Sequence, residues 1–342
     1  MRNKMSRGAL ILFILVYCTG CGQAPATYYK DGVVNGISLV APAHAIDSSD
    51  FLQLKKLHTN WVALIPYAFG KQDSAVLYYN SKWQWWGEQA KGIAACTRMA
   101  HALNMHILLK PQVWYHHGFS GSFHLTNEKD WEKWENNYRR FILYFAKMAD
   151  SLHIEMLCMG TEWDRATRER PDFWRSMVDT IRKVYHGKLT YAANWDAYLD
   201  FPAWDKLDFI GINAYFPISN AKTPQIKDLK KAWKPIVKKI SRLAQKFQKP
   251  ILFTEYGYRS IDYTAQAPWE SETRHAINNQ AQAIALEAFY QIFYREPWFA
   301  GGFLWKWYSS SSHFHRHDAT SYTLQNKPAE KVILKWFGET NH

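Results

Sequence analysis

Cysteine is scarce in this chain, and its placement argues against two classes of protein. Four cysteines occur among 342 residues, and two of them lie close to the N-terminus. The other two, Cys96 and Cys158, fall in a helix-like stretch and a strand-like stretch. Neither a disulfide-stabilised scaffold nor a cysteine-rich metal centre is therefore predicted.

Long hydrophobic runs are also lacking. The N-terminal run Ala9–Val16 is too short to span a bilayer comfortably. Because it follows Arg2, Lys4 and Arg7, this run is typical of a secretory signal rather than a membrane anchor.

The residues after this run resemble a bacterial lipobox. Small residues, Thr19 and Gly20, precede Cys21, although Cys18 stands where such motifs usually have leucine. We therefore predict a lipoprotein-type signal peptide over residues 1–20, lipidation of Cys21 and a tether over residues 21–34. The protein would be held in the cell envelope outside the cytoplasm of a bacterium, with ordinary secretion as the alternative.

Acidic residues are outnumbered, which raises the question of a polyanionic partner. The chain has 30 acidic and 42 basic residues and a net charge of +12. A basic surface can attract nucleic acid or an anionic envelope polymer. The basic residues are spread among acidic ones, as in Lys227–Lys239, and no nucleic-acid module is present. No nucleic-acid partner is predicted.

Internal linkers and low-complexity segments are absent, and the pattern from residue 35 to residue 342 alternates between strands and helices. Predicted strands are Gly36–Ala41, Trp61–Pro66, Met105–Lys110, Glu155–Gly160, Leu189–Ala193, Leu207–Asn213, a seventh within Pro250–Tyr258, and Gly301–Trp305. Predicted helices include one whose apolar stripe runs from Trp131 to Met148. Eight such repeats predict an α/β protein with a single (β/α)8 TIM barrel.

Polar and aromatic side chains follow these strands, where a barrel places its active site. Glu162 follows the fourth strand and Glu255 ends the seventh. The other candidates for contact with a ligand are Trp114, His117, Asn194, Asn213, Tyr215, Trp305 and Trp307. Two carboxylic acids facing each other across a barrel mouth are what glycosidic bond cleavage requires. Aromatic residues make up 16% of the chain, and their flat faces can pack against sugar rings.

Four motifs carry a resemblance to a known family. They are Leu157–Trp163, Phe209–Tyr215, Phe253–Ser260 and Phe303–Trp307. In this order they are similar to glycoside hydrolase family 113, within a large clan of retaining barrel glycosidases. The resemblance implies an endo-acting β-1,4-mannanase acting on mannan or glucomannan.

The resemblance also implies roles for individual residues. Glu162 would be the general acid/base and Glu255 the nucleophile, with Trp305 as a platform under the sugar and Tyr215 as a hydroxyl near the nucleophile. In the wider clan an asparagine usually precedes the acid/base, whereas this chain has Thr161. We expect the negative charge of Glu255 and apolar walls to raise the pKa of Glu162.

The sequence alone leaves several alternatives open. Glu162 could pair structurally with Arg165 or Arg168, and Glu255 with Arg259. The protein could instead act on another β-linked envelope or plant glycan, or be a glycan-binding lipoprotein without catalysis.

Two histidine clusters invite a metal-site hypothesis. His116 and His117 form one cluster, and His313, His315 and His317 form the other. Neither has a clear carboxylate partner at ligand spacing, so both are predicted to be loop residues. We predict no metal and no cofactor.

Overall fold

The computed structural model describes residues 32–71, 74–116, 118–272, 274–310 and 319–339. Eleven strands occur in these residues, and in chain order they are β1 Val34–Leu39, β2 Trp61–Leu64, β3 Tyr67–Gly70, β4 Leu77–Tyr78, β5 His106–Leu109, β6 Gln112–Tyr115, β7 Met156–Thr161, β8 Lys188–Asn194, β9 Ile210–Asn213, β10 Ile251–Tyr256 and β11 Phe299–Trp307. The helices are α1 Ser48–Lys56, α2 Ala90–Ala102, α3 Glu128–Ser151, α4 Asp164–Glu169, α5 Pro171–Arg182, α6 Ile226–Phe247, α7 Asn279–Phe293 and α8 Pro328–Glu339.

Eight of the strands close into a parallel barrel. Its order follows the chain, from β1 through β2, β5, β7, β8, β9 and β10 to β11, which pairs again with β1. The predicted TIM barrel is therefore confirmed. Since β1 begins at Val34, the last residue assigned to the tether already lies in the barrel.

Side-chain alternation along the strands separates the barrel interior from the layer under the helices. On β7, Met156 and Cys158 belong to the interior cluster, whereas Leu157 and Met159 pack in the outer cluster. This period of two explains why the strands are apolar on both faces. A residue two positions beyond an interior residue is therefore directed toward the barrel axis, which matters at the strand ends.

The helices begin where their sequences provide caps. The side chain of Asn127 accepts a hydrogen bond from the Asp130 backbone N–H at the start of α3, and Asn278 caps α7 in the same way. Pro171 opens α5, where a missing N–H costs nothing. On α3, five aromatic side chains of the predicted stripe are buried, and they are Trp131, Trp134, Tyr138, Phe141 and Phe145.

A second sheet lies outside the barrel. Strands β4, β3 and β6 form a three-stranded sheet, with β3 following β2 and β6 following β5. Sequence analysis missed this sheet and placed Trp114 at the end of a barrel strand. Instead, β5 ends at Leu109, and the chain continues as a strand of the second sheet from Gln112.

Some predictions concern residues that the structure does not describe. The signal peptide, Cys21, His117 and the cluster of His313, His315 and His317 lie outside the described ranges. Within those ranges, no helix is both long and apolar enough to cross a membrane. Cys96 and Cys158 are buried free thiols.

Candidate active site

Glu255 lies at the end of β10, where the strand departs from regular pairing. The register with β9 shifts between Phe253 and Glu255, and the register with β11 shifts between Phe253 and Tyr256. Such bulges redirect a side chain at a barrel rim. As a result, the carboxylate of Glu255 lines a cavity while the residue is only 7% exposed.

Three donors hold the Glu255 carboxylate. Its Oε1 accepts a hydrogen bond from the Lys110 ammonium and another, of 3.1 Å, from the Gln112 amide. Its Oε2 accepts a 2.8 Å hydrogen bond from the Tyr215 hydroxyl. Hydrogen bonds to the ionised form stabilise negative charge on the carboxylate and fix its orientation.

Lys110 is a site residue that sequence reasoning missed. It lies immediately after β5, two positions beyond the interior residue Leu108, and it is fully buried. A buried ammonium is costly unless it is paired, and here the partner is Glu255. Lys110 could have been identified from the sequence, because strand alternation from Leu108 directs its side chain toward the barrel axis.

Glu162 follows β7 in a strained backbone conformation. Its φ is +54°, in the left-handed region, which costs about 1–3 kcal/mol for residues other than glycine. Neighbouring bonds hold the turn: the Glu162 N–H donates to the Ala192 carbonyl at 2.8 Å, and the Trp163 N–H donates to the Tyr191 hydroxyl at 2.7 Å. The β7–β8 register also shifts between Cys158 and Thr161.

The protonation of Glu162 is controlled by its surroundings. Burial raises the pKa of its carboxyl group to about 7, and the negative charge of Glu255 acts in the same direction. A hydrogen bond from the Asn213 amide (2.9 Å) and the charge of Lys110 act against this rise in pKa. Because the pKa is about 7, a large fraction of Glu162 is protonated at neutral pH. The expected rise is therefore confirmed, with burial as its larger cause.

Asn213 connects the two carboxylates. It is the register partner of Glu255 in the β9–β10 pairing, and its amide nitrogen donates to Glu162. The Thr254 hydroxyl donates to the Asn213 side-chain oxygen at 2.9 Å, which orients the amide. Glu162 and Glu255 are thus brought to the same part of the barrel mouth by fixed backbone pairing.

Both carboxylates line one cavity of about 920 Å³. Its walls also include Phe119, Asn194, Trp195, Asp196, Tyr215, Arg259, Trp269, Ser271, Trp305, Lys306, Thr320, Ser321 and Tyr322. Asn194, Tyr215 and Trp305 were predicted from sequence to lie together, and the structure brings them together. Trp195 stacks on Trp269 with ring centroids 4.9 Å apart. Trp269 follows no strand, so the strand-end argument did not find it.

Two other predicted residues lie elsewhere. Trp307 is 4% exposed and packs in the hydrophobic core, whereas Trp305 lines the cavity. Regular alternation would place both on one face, but the β1–β11 register shifts between Ile37 and Leu39, which pair with Leu304 and Trp307. Trp114 is 47% exposed and lines a different cavity beside the second sheet.

The alternative ion pairs are not observed among the described residues. Arg165 pairs with Glu169 at 2.7 Å, and Glu162 bonds to Asn213 instead. Arg259 donates to the backbone carbonyls of Thr320 (3.0 Å) and Glu270 (3.3 Å), so it joins two loops at the cavity wall.

The arrangement gives two carboxyl groups opposite tasks. Glu162 can hold a proton near pH 7, whereas Glu255 is surrounded by donors that favour its charge. Glycosidic bond cleavage needs one carboxyl group that can donate a proton and one that is ionised, and this aromatic-walled cavity contains two carboxyl groups in such contrasting surroundings. No group of three or more metal-binding side chains occurs in the described ranges.

Comparisons with known proteins agree with this chemistry. The sequence model of Glycoside Hydrolase Family 113 matches residues 42–327. A structure of a family 113 β-mannanase from Alicyclobacillus acidocaldarius in complex with ManMIm is similar, with a TM-score of 0.81 and 25% identity. The similarity covers 92% of this chain and 100% of that chain. No curated protein sequence matches the chain.

Other solved structures share the fold. A family 113 β-1,4-mannanase has a TM-score of 0.78 at 21% identity, covering 90% of this chain and 99% of that chain. A β-glucuronidase from Ruminococcus gnavus has a TM-score of 0.63 at 13% identity, covering 90% of this chain but 50% of that chain. At these identities the similarity shows the barrel fold alone.

Proposed function

The chain belongs to glycoside hydrolase family 113, and on this premise we propose that it cleaves β-1,4-mannosidic linkages in mannan or glucomannan with retention at the anomeric carbon. The observation that best supports this proposal is the contrast between the surroundings of Glu162 and those of Glu255. One carboxyl group has a pKa raised to about 7, and the other is held by Lys110, Gln112 and Tyr215.

In the first step, the Glu255 carboxylate attacks the anomeric carbon as the glycosidic bond breaks. Glu162 donates its proton to the departing oxygen, and a covalent glycosyl-enzyme forms. The Lys110 ammonium holds one oxygen of Glu255 and the Tyr215 hydroxyl holds the other, which fixes the orientation of the carboxylate for attack.

In the second step, Glu162 becomes a base. Glu255 is then an uncharged ester, so the repulsion that helped raise the pKa of Glu162 is gone. The Glu162 carboxylate removes a proton from water, which attacks the anomeric carbon and releases Glu255. Two inversions give net retention.

The activity is expected to decrease as the pH rises through about 7, because the first step requires protonated Glu162 and its pKa is about 7. Measurement of kcat/KM from pH 4 to pH 10 reports this pKa in the free enzyme. Asp164, whose pKa burial raises to about 6, is the matched control. The variant Asp164→Asn should retain the alkaline decrease, moved toward lower pH because the charge of Asp164 helps to raise the pKa of Glu162. Loss of the decrease in that variant would contradict the assignment to Glu162.

Replacement of Lys110 by methionine is expected to lower kcat roughly a hundredfold, because the nucleophile loses its buried counter-charge. The same change should shift the alkaline decrease in activity to higher pH, because the charge of Lys110 lowers the pKa of Glu162. If Lys110 had only a structural role, its replacement would not change the pH at which the activity decreases. The exposed residue Lys246 provides the control variant Lys246→Met, which should behave as wild type.

The substrate is identified by incubation with mannan, glucomannan, cellulose, xylan and peptidoglycan, with products analysed by mass. Proton NMR early in the reaction shows whether the new reducing end is β, as retention requires. Release of products from peptidoglycan alone would replace the mannan hypothesis with an envelope-glycan hydrolase. Tight binding of manno-oligosaccharides without any product would support the non-catalytic alternative.

We also propose that the enzyme acts outside the cytoplasm, anchored through a lipid on Cys21. Support comes from the basic residues, the apolar run and the small residues that precede this cysteine. In a bacterial host, Cys21→Ala should abolish incorporation of labelled palmitate and move the protein from the membrane fraction to the soluble fraction. Unchanged labelling would contradict lipidation at this residue.

A further inference from the structure

A second cavity, of about 600 Å³, lies beside the sheet formed by β3, β4 and β6. Its walls are mostly aromatic, and they comprise Tyr67, Phe69, Tyr78, Ser81, Trp83, Gln84, Trp85, Glu88 and Trp114. We refer to it as the aromatic cavity. Trp83 is 84% exposed and Tyr78 is 68% exposed. A concentration of large exposed aromatic side chains usually marks a binding surface.

The polar groups in the aromatic cavity are few and held in place. The Gln84 amide donates to the Tyr67 carbonyl at 2.7 Å and to the Glu88 carboxylate at 3.0 Å. Glu88 is 7% exposed, so its carboxylate is shielded from solvent on most sides. Flat apolar faces with a few fixed acceptors suit a ligand that has both C–H faces and hydroxyl groups.

Strand β6 links the aromatic cavity to the catalytic cavity. Gln112 on β6 donates to Glu255, and Trp114 lies two residues farther along the same face, about 7 Å away by strand geometry. Trp114 is the register partner of Phe69, and the two rings are 5.9 Å apart. Tyr67, the register partner of Gln112, lines the aromatic cavity and lies within electrostatic range of Glu255.

The position of this link indicates which part of the substrate would occupy the aromatic cavity. The strand that carries Trp114 contacts Glu255, the residue that attacks the anomeric carbon in the proposed function. By contrast, Trp195, on which Trp269 stacks, follows β8, and β8 pairs with β7, the strand that precedes Glu162. Sugars continuing from the attacked residue would therefore extend toward Trp114, and those on the leaving side toward Trp269.

We propose that the aromatic cavity is a distal glycone subsite, which binds sugar residues of a β-linked glycan chain on the nucleophile side of the cleaved bond. This inference rests on the proposed function. It implies that the enzyme acts on chains long enough to occupy both cavities, with Trp83 and Trp114 as stacking platforms.

The test uses the purified enzyme and the variants Trp114→Ala and Trp83→Ala. The substrates are β-1,4-mannohexaose and an aryl β-mannoside, which is too short to reach the aromatic cavity. The ratio of kcat/KM for mannohexaose to that for the aryl mannoside is expected to fall roughly tenfold or more in each variant, as is typical when an aromatic side chain that a ligand covers is truncated. Hydrolysis in ¹⁸O-labelled water, read by mass, should show cut positions shifting toward shorter glycone products.

Two further variants act as controls. Trp269→Ala, at the opposite end of the cleft, should shift the cut positions toward shorter leaving-group products. Leu334→Ala changes an exposed apolar residue on α8 and should leave both the ratio and the cut positions at their wild-type values. Thermal unfolding of each variant separates a loss of fold from a loss of binding.

The outcomes distinguish a failure of the proposed subsite from a failure of the proposed function. If wild type cleaves mannohexaose but the ratio and cut positions are unchanged in both tryptophan variants, the subsite is refuted and the proposed function stands. If wild type cleaves neither mannoside, the proposed function fails, and the subsite fails with it.

Discussion

Replacement of Glu255 by glutamine is expected to lower kcat roughly 10⁴-fold or more, because the amide cannot form the glycosyl-enzyme. The substitution is nearly isosteric: the amide oxygen can still accept hydrogen bonds from Lys110 and Gln112, and the amide nitrogen can donate to the Tyr215 hydroxyl oxygen. The fold should therefore persist. Turnover of mannohexaose, measured with far-UV circular dichroism of the same sample, checks both statements.

The buried ammonium makes a second variant informative. In Glu255→Gln, Lys110 loses its counter-charge, so the melting temperature should fall. In the double variant Lys110→Met with Glu255→Gln, both charged groups are gone and part of this loss should be recovered. Neither variant should regain activity. Wild-type turnover in Glu255→Gln would refute the assignment of Glu255 as nucleophile.

Replacement of Glu162 by alanine is expected to lower kcat/KM on a natural glycan by roughly 10²–10⁴-fold, because the leaving oxygen receives no proton. An aryl mannoside with a good leaving group needs little protonation, so it should still form the glycosyl-enzyme. That intermediate should then accumulate, since the base that activates water is missing. A burst of aryl alcohol followed by slow turnover is the expected time course.

External azide provides the decisive measurement for Glu162. Azide needs no general base, and removal of the carboxylate opens space and removes negative charge near the anomeric carbon. Turnover of the aryl mannoside should recover, and the product should be the β-mannosyl azide. The control is Glu255→Ala: azide there should give no β-azide, because no covalent intermediate forms. An absence of rescue in Glu162→Ala would argue against its acid/base role.

The barrel was predictable because each strand–helix repeat has a local hydrophobic pattern that can be recognised by itself. Strands such as β7 and β10 are apolar on both faces, and α3 has a long stripe with a period near 3.6 residues. Short elements outside this repeat carry too little pattern. Strands β3, β4 and β6, of two to four residues, were missed for this reason, and so was the six-residue helix α4.

The chemistry of the strand ends was only partly predictable. Glu162 and Glu255 could be identified because each follows a recognisable strand, and barrel strands converge at their C-terminal ends. Trp305 and Trp307 lie on the same strand two positions apart, yet one lines the cavity and the other packs in the core. A local irregularity in strand pairing decides such cases, and it leaves no mark in composition or periodicity.

The sequence by itself determined the eight-fold repeat, the two carboxylates and the order of the four motifs that resemble family 113. These depend on local patterns, which a single chain displays directly. Only the tertiary structure decided that Lys110 and Tyr215 hold Glu255, and that burial raises the pKa of Glu162 to about 7. Both depend on residues distant in sequence that meet when the barrel closes, because burial and charge act through space.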